Sequence, residues 1–246
     1  MADPIFGPVP SLLVPYSTLL FDLDHTLFDS DASEAAAFDT TMRAVGFDEP
    51  FTHFEAYQRI NLDLWAGVER GEVRPIDVRR VRFERLFAEL KVDASVEEMA
   101  ALFVHSLGAN GDLYPGVIEL LDRLKPHARL GLVTNGLSDV QRARLARLGI
   151  ADRFDAVVIS SEVGVTKPRR EIFDIAFERL GAPATESALM IGDSLTSDIA
   201  GGANYGIATC WYNPQGRMRA PEDIVTHEIA DLGDLIPIVT ENVRGG

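Results

Sequence analysis

Leu19-Leu20-Phe21-Asp22-Leu23-Asp24-His25-Thr26-Leu27 is the stretch from which the rest of the chain can be read. Apolar residues bounded by charge describe a short buried strand, and that strand gives way to a loop at Asp22. Two carboxylates this close repel one another unless a cation neutralises them or one stays protonated for proton transfer. Open α/β sheets bind ligands at the carboxyl ends of their strands, where Asp22 and Asp24 lie. A loop with two solvated aspartates would give the same short pattern, so the other strand ends have to decide.

Downstream, the pattern changes twice. Residues 31–112 hold no convincing strand. Helical spacing runs through 33–45, 52–70, 75–90 and 96–107, with Gly71 as a stop and Pro75 as a start. Phe54, Tyr57 and Trp65 lie on one such stripe, where spacing favours core packing over stacking on a base. From Tyr114 the chain alternates. Strands are expected at 130–134, 156–160, 188–193 and 207–211, and helices at 116–124, 138–148, 170–180 and 197–205. Such alternation predicts a parallel sheet covered on both faces, and the helical block after the first strand is an insertion into it.

The chain has 246 residues, 46% hydrophobic and 25% charged, the balance of a globular protein with a sizeable core. Its formal net charge of -15 argues against a general nucleic-acid binder, because backbone phosphates call for clustered Lys and Arg. An anionic substrate therefore needs a local cation. Cys210 is the single cysteine; this excludes an intramolecular disulfide and a Cys-rich zinc site, favours a cytoplasmic setting, and suits a small core residue. Residues 1–17 contain Pro4, Pro8, Pro10 and Pro15 but no Lys or Arg, which describes an extended arm rather than a signal peptide. No apolar run reaches the length of a membrane span.

Polar groups recur at the other strand ends: Thr134-Asn135-Gly136, Lys167-Pro168 before a helix, and Gly192-Asp193-Ser194-Leu195-Thr196-Ser197-Asp198. With the first stretch they form four motifs in order, and in them the chain resembles the haloacid dehalogenase (HAD) superfamily of hydrolases. The resemblance implies an α/β fold, with a Rossmann-like parallel-sheet core over 18–30 and 113–246 and an inserted α-helical cap over 31–112.

A phosphate monoester is anionic and resists nucleophiles, so a site for one must neutralise it and hold the attacking group in line. Asp22 suits the nucleophile, forming an aspartyl-phosphate. Asp24 suits the group that protonates the leaving oxygen and later takes a proton from water. Hard carboxylate oxygens without a Cys or His cluster favour Mg²⁺. The resemblance implies Asp22, the Asp24 carbonyl and Asp193 as its ligands, with Asp198 supporting them. Thr134 and the Asn135 backbone N–H would hold phosphate oxygens, and Lys167 would offset the charge around Asp22. His25 occupies a variable slot and receives no role. Dehalogenase members lack the second aspartate, so Asp24 points to a phosphatase.

The segments 58–65, 159–168 and 198–213 resemble the pyrimidine 5'-nucleotidase branch. That implies a pyrimidine nucleoside monophosphate as substrate, while the net charge and the lack of a long apolar run predict neither nucleic acid nor membrane as partner. Phosphatases of phosphoglycolate, sugar phosphates or N-acylneuraminate 9-phosphate share every motif quoted and stay open as alternatives. A phosphomutase, a dehalogenase or a non-catalytic phosphoacceptor fits less well. Residues 215–226 read as a polar surface connection.

Overall fold

A computed structural model describes residues 16–240. The proline-rich arm lies outside the described residues except for Tyr16 and Ser17. Strand β1 (Thr18–Phe21) is followed by four long helices, α1 (Ser30–Val45), α2 (Phe54–Glu69), α3 (Pro75–Leu90) and α4 (Val96–Ala109). Alternation then begins with α5 (Val117–Leu124), β2 (Arg129–Thr134) and α6 (Ser138–Leu148). It continues through β3 (Ala156–Ile159), α7 (Ser160–Val163), α8 (Arg170–Arg179) and β4 (Ala188–Gly192). The last elements are α9 (Ala200–Tyr205), β5 (Ala208–Tyr212), β6 (His227–Ile229) and α10 (Leu235–Thr240).

The six strands lie in the order β3-β2-β1-β4-β5-β6, all parallel. All four residues of β1 are buried, because helices cover both faces. Leu19 and Phe21 join Leu130, Leu132, Leu189 and Ile191 in one cluster with Leu120 and Leu121 of α5. Leu20, Val133 and Met190 face the other way, onto Ile172, Phe173 and Phe177 of α8. This period of two fixes which carboxyl ends meet. The chain turns to one side of β1 for β2 and β3 and to the other for β4 to β6. The switch point, where open α/β sheets leave a crevice, therefore lies between β1 and β4.

Helices α1 to α4, the block expected as the cap, share a core of their own, in which Phe38, Tyr57, Phe83 and Phe103 are fully buried. Asp29 caps α1 by accepting from Ala32 N, and Gly46 ends it with φ 105°. Leu137 and Val140, which lie beside the β2 end, pack into the cap cluster and seat it over the sheet edge. No helix among the described residues is long and apolar enough to cross a membrane.

Three local differences from the sequence expectation have physical causes. Ser160 starts a one-turn helix instead of ending β3, and Gly164 closes that turn at φ 75°. The helix expected from 197 begins as a wide π-type turn, Leu195–Ile199, in which Ser194 Oγ accepts from Ser197 N. Strand β6 went unrecognised because three residues are too few to show a period, and it is defined by pairing with β5.

Candidate active site

The motifs converge because they sit at neighbouring carboxyl ends. Asp22 and Asp24 follow β1, Thr134 ends β2, Asp193 follows β4, and Lys167 arrives from the loop after α7. All of them, with Asn135 and Asp198, line one cavity of about 530 Å³ under the cap.

Lys167 is the cation at its floor. The side chain is 1% exposed, and Nζ lies 2.5 Å from Asp22 Oδ1 and 2.7 Å from Asp198 Oδ1. It also donates to the Val133 carbonyl at 2.7 Å. Asn135 holds this residue in place, with Oδ1 accepting from Lys167 N at 2.8 Å and Nδ2 donating to Lys167 O at 2.9 Å. The Lys167–Pro168 peptide bond is cis. Burial alone would lower the ammonium's proton affinity, but Asp198 and Asp22 outweigh it and hold Lys167 above its ordinary value.

Asp22 and Asp24 are turned to different partners. Burial pushes Asp22 well above the usual carboxylate range; Lys167 opposes this, and Asp198 and Asp24 add to it. Asp24 Oδ1 accepts from Ser30 Oγ at 2.5 Å and Arg144 Nη1 at 2.6 Å, while Oδ2 accepts from Gln141 Nε2 at 2.6 Å. Burial would raise Asp24 too, yet Arg144, Ser30, His25 and Gln141 together hold it below its ordinary value. Two neighbouring carboxyls with opposed proton affinities suit two different tasks.

Arg144 and Gln141 escaped the sequence reading. On α6 they lie three apart, both buried, and polar residues at that spacing on a packed face were the available signal. Arg144 also donates to Leu107 O at 3.2 Å and Ser33 Oγ at 3.0 Å, which ties Asp24 to both ends of the cap. Gln141 Nε2 reaches Thr134 Oγ1 at 2.9 Å. Gly136 is needed beside it, since a Cβ there would overlap the Gln141 side chain.

Asp193 is fixed through its backbone. Its N–H donates to Thr26 Oγ1 at 3.1 Å, and its carbonyl accepts from Trp211 Nε1 at 2.9 Å and Arg217 Nη2 at 2.6 Å. Arg217 thus reaches the site from a segment read as mere surface connection. Burial, then Asp198, pushes Asp193 up to about 6 against the pull of His25, Arg217 and Lys167. One carboxylate oxygen each from Asp22, Asp193 and Asp198 lie within 4.8 Å of one another. Anions crowded beyond what the resident cations neutralise, all with hard oxygen donors, fit a divalent cation such as Mg²⁺.

Of the cap aromatics, Tyr57 is fully buried as expected of core. Trp65 does both jobs, packing against the cap cluster and lining the cavity. Cys210 is buried in the sheet.

A family model described as haloacid dehalogenase-like hydrolase matches residues 16–206. The chain is 36% identical over 222 residues to pyrimidine 5'-nucleotidase YjjG of Escherichia coli, covering 88% of this chain and 95% of that one. It is 33% identical over 229 residues to pyrimidine 5'-nucleotidase PynA of Streptococcus pneumoniae, covering 93% and 97%. Among solved structures, the HAD-hydrolase YfnB of Bacillus subtilis, bound to magnesium, superposes with a TM-score of 0.85 at 34% identity, covering 92% of this chain and 99% of that one.

Proposed function

Because the chain belongs to the haloacid dehalogenase-like hydrolase family and is a phosphatase of that family, we infer that it hydrolyses pyrimidine nucleoside 5'-monophosphates. The observation that carries the chemistry is the division of labour between Asp22, buried on Lys167, and Asp24, held by Arg144, Ser30 and Gln141. Support for the nucleotide comes from the two relatives named as pyrimidine 5'-nucleotidases, and from a cavity roomy enough for more than a phosphate.

Asp22 attacks the phosphorus, and the bond to the ester oxygen breaks. The departing oxygen takes a proton from Asp24. Asp24, now anionic, removes a proton from water, which attacks the aspartyl-phosphate; phosphate leaves and Asp22 is restored. The Arg144 ion pair favours the anionic form of Asp24, so the arrangement described is the one suited to the second step. For the first, Asp24 must carry a proton and the pair must loosen. Lys167, Thr134 and the Asn135 backbone N–H offset charge on the transferring group. Asp22, the Asp24 carbonyl and Asp193 would hold Mg²⁺, with Asp198 supporting them through Lys167 and through Ser194 N, 3.0 Å from its Oδ2. A bound divalent ion supplies positive charge that keeps Asp22 ionised and neutralises the phosphate. The cap closes the site against bulk water.

The test is phosphate release, with and without Mg²⁺, from a panel of nucleoside monophosphates, sugar phosphates and phosphoglycolate, run beside Asp22→Asn. Preference for UMP, dUMP or dTMP, abolished by the substitution, is the expected result. Mutant-sensitive release from a sugar phosphate alone would keep the mechanism and discard the nucleotide.

A further inference from the structure

The cap wall of the cavity carries polar groups that the phosphoryl chemistry leaves unused. Asn61 Nδ2 donates to Glu34 Oε1 at 2.5 Å, and Tyr57 Oη donates to the same oxygen at 2.6 Å. With the amide nitrogen turned to Glu34, Asn61 Oδ1 is turned away from it. Among the described residues that oxygen is buried without a hydrogen-bond partner. Asn61 is 8% exposed and lines the cavity. Native proteins keep few such unmet acceptors, so a donor is missing here.

Arg82 stands at the other end of the same chain of contacts. It is 2% exposed, donates from Nη1 to Tyr57 Oη at 3.2 Å and from Nε to Val78 O at 3.3 Å, and lies over the Phe103 ring. Its charge acts on Glu34 across the Tyr57 hydroxyl, with no direct ion pair to Arg82 among the described residues, and it lines the cavity together with Glu34, Trp65 and the exposed Leu62. A buried guanidinium with spare donors, an unmet amide acceptor and apolar surface beside them describe a subsite for a planar group that both accepts and donates along one edge.

We propose that Asn61 and Arg82 read the base of the nucleotide, Oδ1 accepting from the N3–H of a 2,4-dioxopyrimidine and Arg82 donating to its C4 carbonyl, where cytosine carries an amine. This subsite rests on the nucleotidase reading of the cavity. Cytosine presents a lone pair at N3, which sets acceptor against acceptor at Oδ1 and disfavours it. Oδ1 is shut from solvent, so this contact requires the cap to open and reseat around the base.

The experiment measures kcat/KM for UMP, CMP, dUMP and dCMP with Mg²⁺ in the parent enzyme, Asn61→Ala and Arg82→Lys. The parent is expected to favour uracil over cytosine by about tenfold or more, and both variants to bring that ratio toward one. A folding defect or a looser cap would lower both bases together and leave the ratio alone. An unchanged ratio in folded variants overturns the subsite, as does a change that follows the sugar rather than the base. If Asn61→Ala does not fold, Arg82→Lys tests the same contact with the charge retained. A parent enzyme that releases phosphate from sugar phosphates but from no nucleotide overturns the nucleotidase reading itself, a result distinct from an unchanged ratio.

Discussion

Replacing Lys167 by Met keeps an apolar stem of similar length and removes the ammonium from between Asp22 and Asp198. The three side chains are 1%, 9% and 1% exposed, so water cannot take over as counter-ion. Removing one partner of a buried pair costs about 3–5 kcal/mol, and each kcal/mol moves Tm by about 2–4 °C in a chain of this size. Lys167→Met is therefore expected to melt roughly 6–20 °C below the parent at pH 8 in EDTA. The pH dependence has a definite sign. Asp22 already sits well above the ordinary carboxylate range, and a carboxyl raised on folding contributes stability that is present at low pH and lost as pH rises through its folded value. Without Lys167 that value climbs further, and a proton becomes the substitute for the ammonium. The deficit in Tm should then be largest at pH 8 and shrink toward pH 5. Melting curves across this range are the assay. A deficit that stays constant, or that grows on acidification, refutes the idea that Lys167 acts as counter-ion to these carboxylates.

Asp24→Asn should lower kcat/KM for UMP by about 10²–10⁴-fold, the usual contribution of a proton donor, yet leave p-nitrophenyl phosphate far less affected because nitrophenolate departs without a proton; equal losses on both esters would count against the role. Mg²⁺ at about 100 times its Kd should stabilise by about 2.7 kcal/mol, visible as a rise in Tm that Asp193→Asn removes. That rise should fade below pH 6, where a proton competes for Asp193, pushed up to about 6. Cys210 is buried and its thiol is pushed up to about 12 by burial, then Asp234. Iodoacetamide at pH 8 should therefore leave the native protein unmodified and label one site per chain after denaturation, and labelling of the native chain would contradict its burial.

Much of this architecture could be read before any fold was known. The run 19–27 gave a buried strand because its residues are apolar on both faces, and the later strand and helix units followed from the alternation of two periods. Local pattern was weaker where an element is short or where a residue serves two purposes. Strand β6 has three residues and exists by virtue of its neighbour β5. Trp65 obeys the helical spacing of a core residue and also lines the cavity, which spacing cannot distinguish. Arg217 lies in a polar stretch and still reaches the Asp193 carbonyl.

The candidate site divides along the same line. By itself, the sequence determined which chemical groups stand at strand ends, because an apolar strand interrupted by Asp22, Thr134 or Asp193 departs from a local rule at a place where the departure can be seen. Only the tertiary structure decided how those groups are paired. That Lys167 faces Asp22 and Asp198, while Arg144 and Gln141 take Asp24, depends on strand order and on the seating of the cap, which bring Asp22 and Asp24 to partners more than a hundred positions away. Electrostatic pairing falls off with distance in space, not along the chain, so the proton affinities that separate Asp22 from Asp24 are a property of the fold.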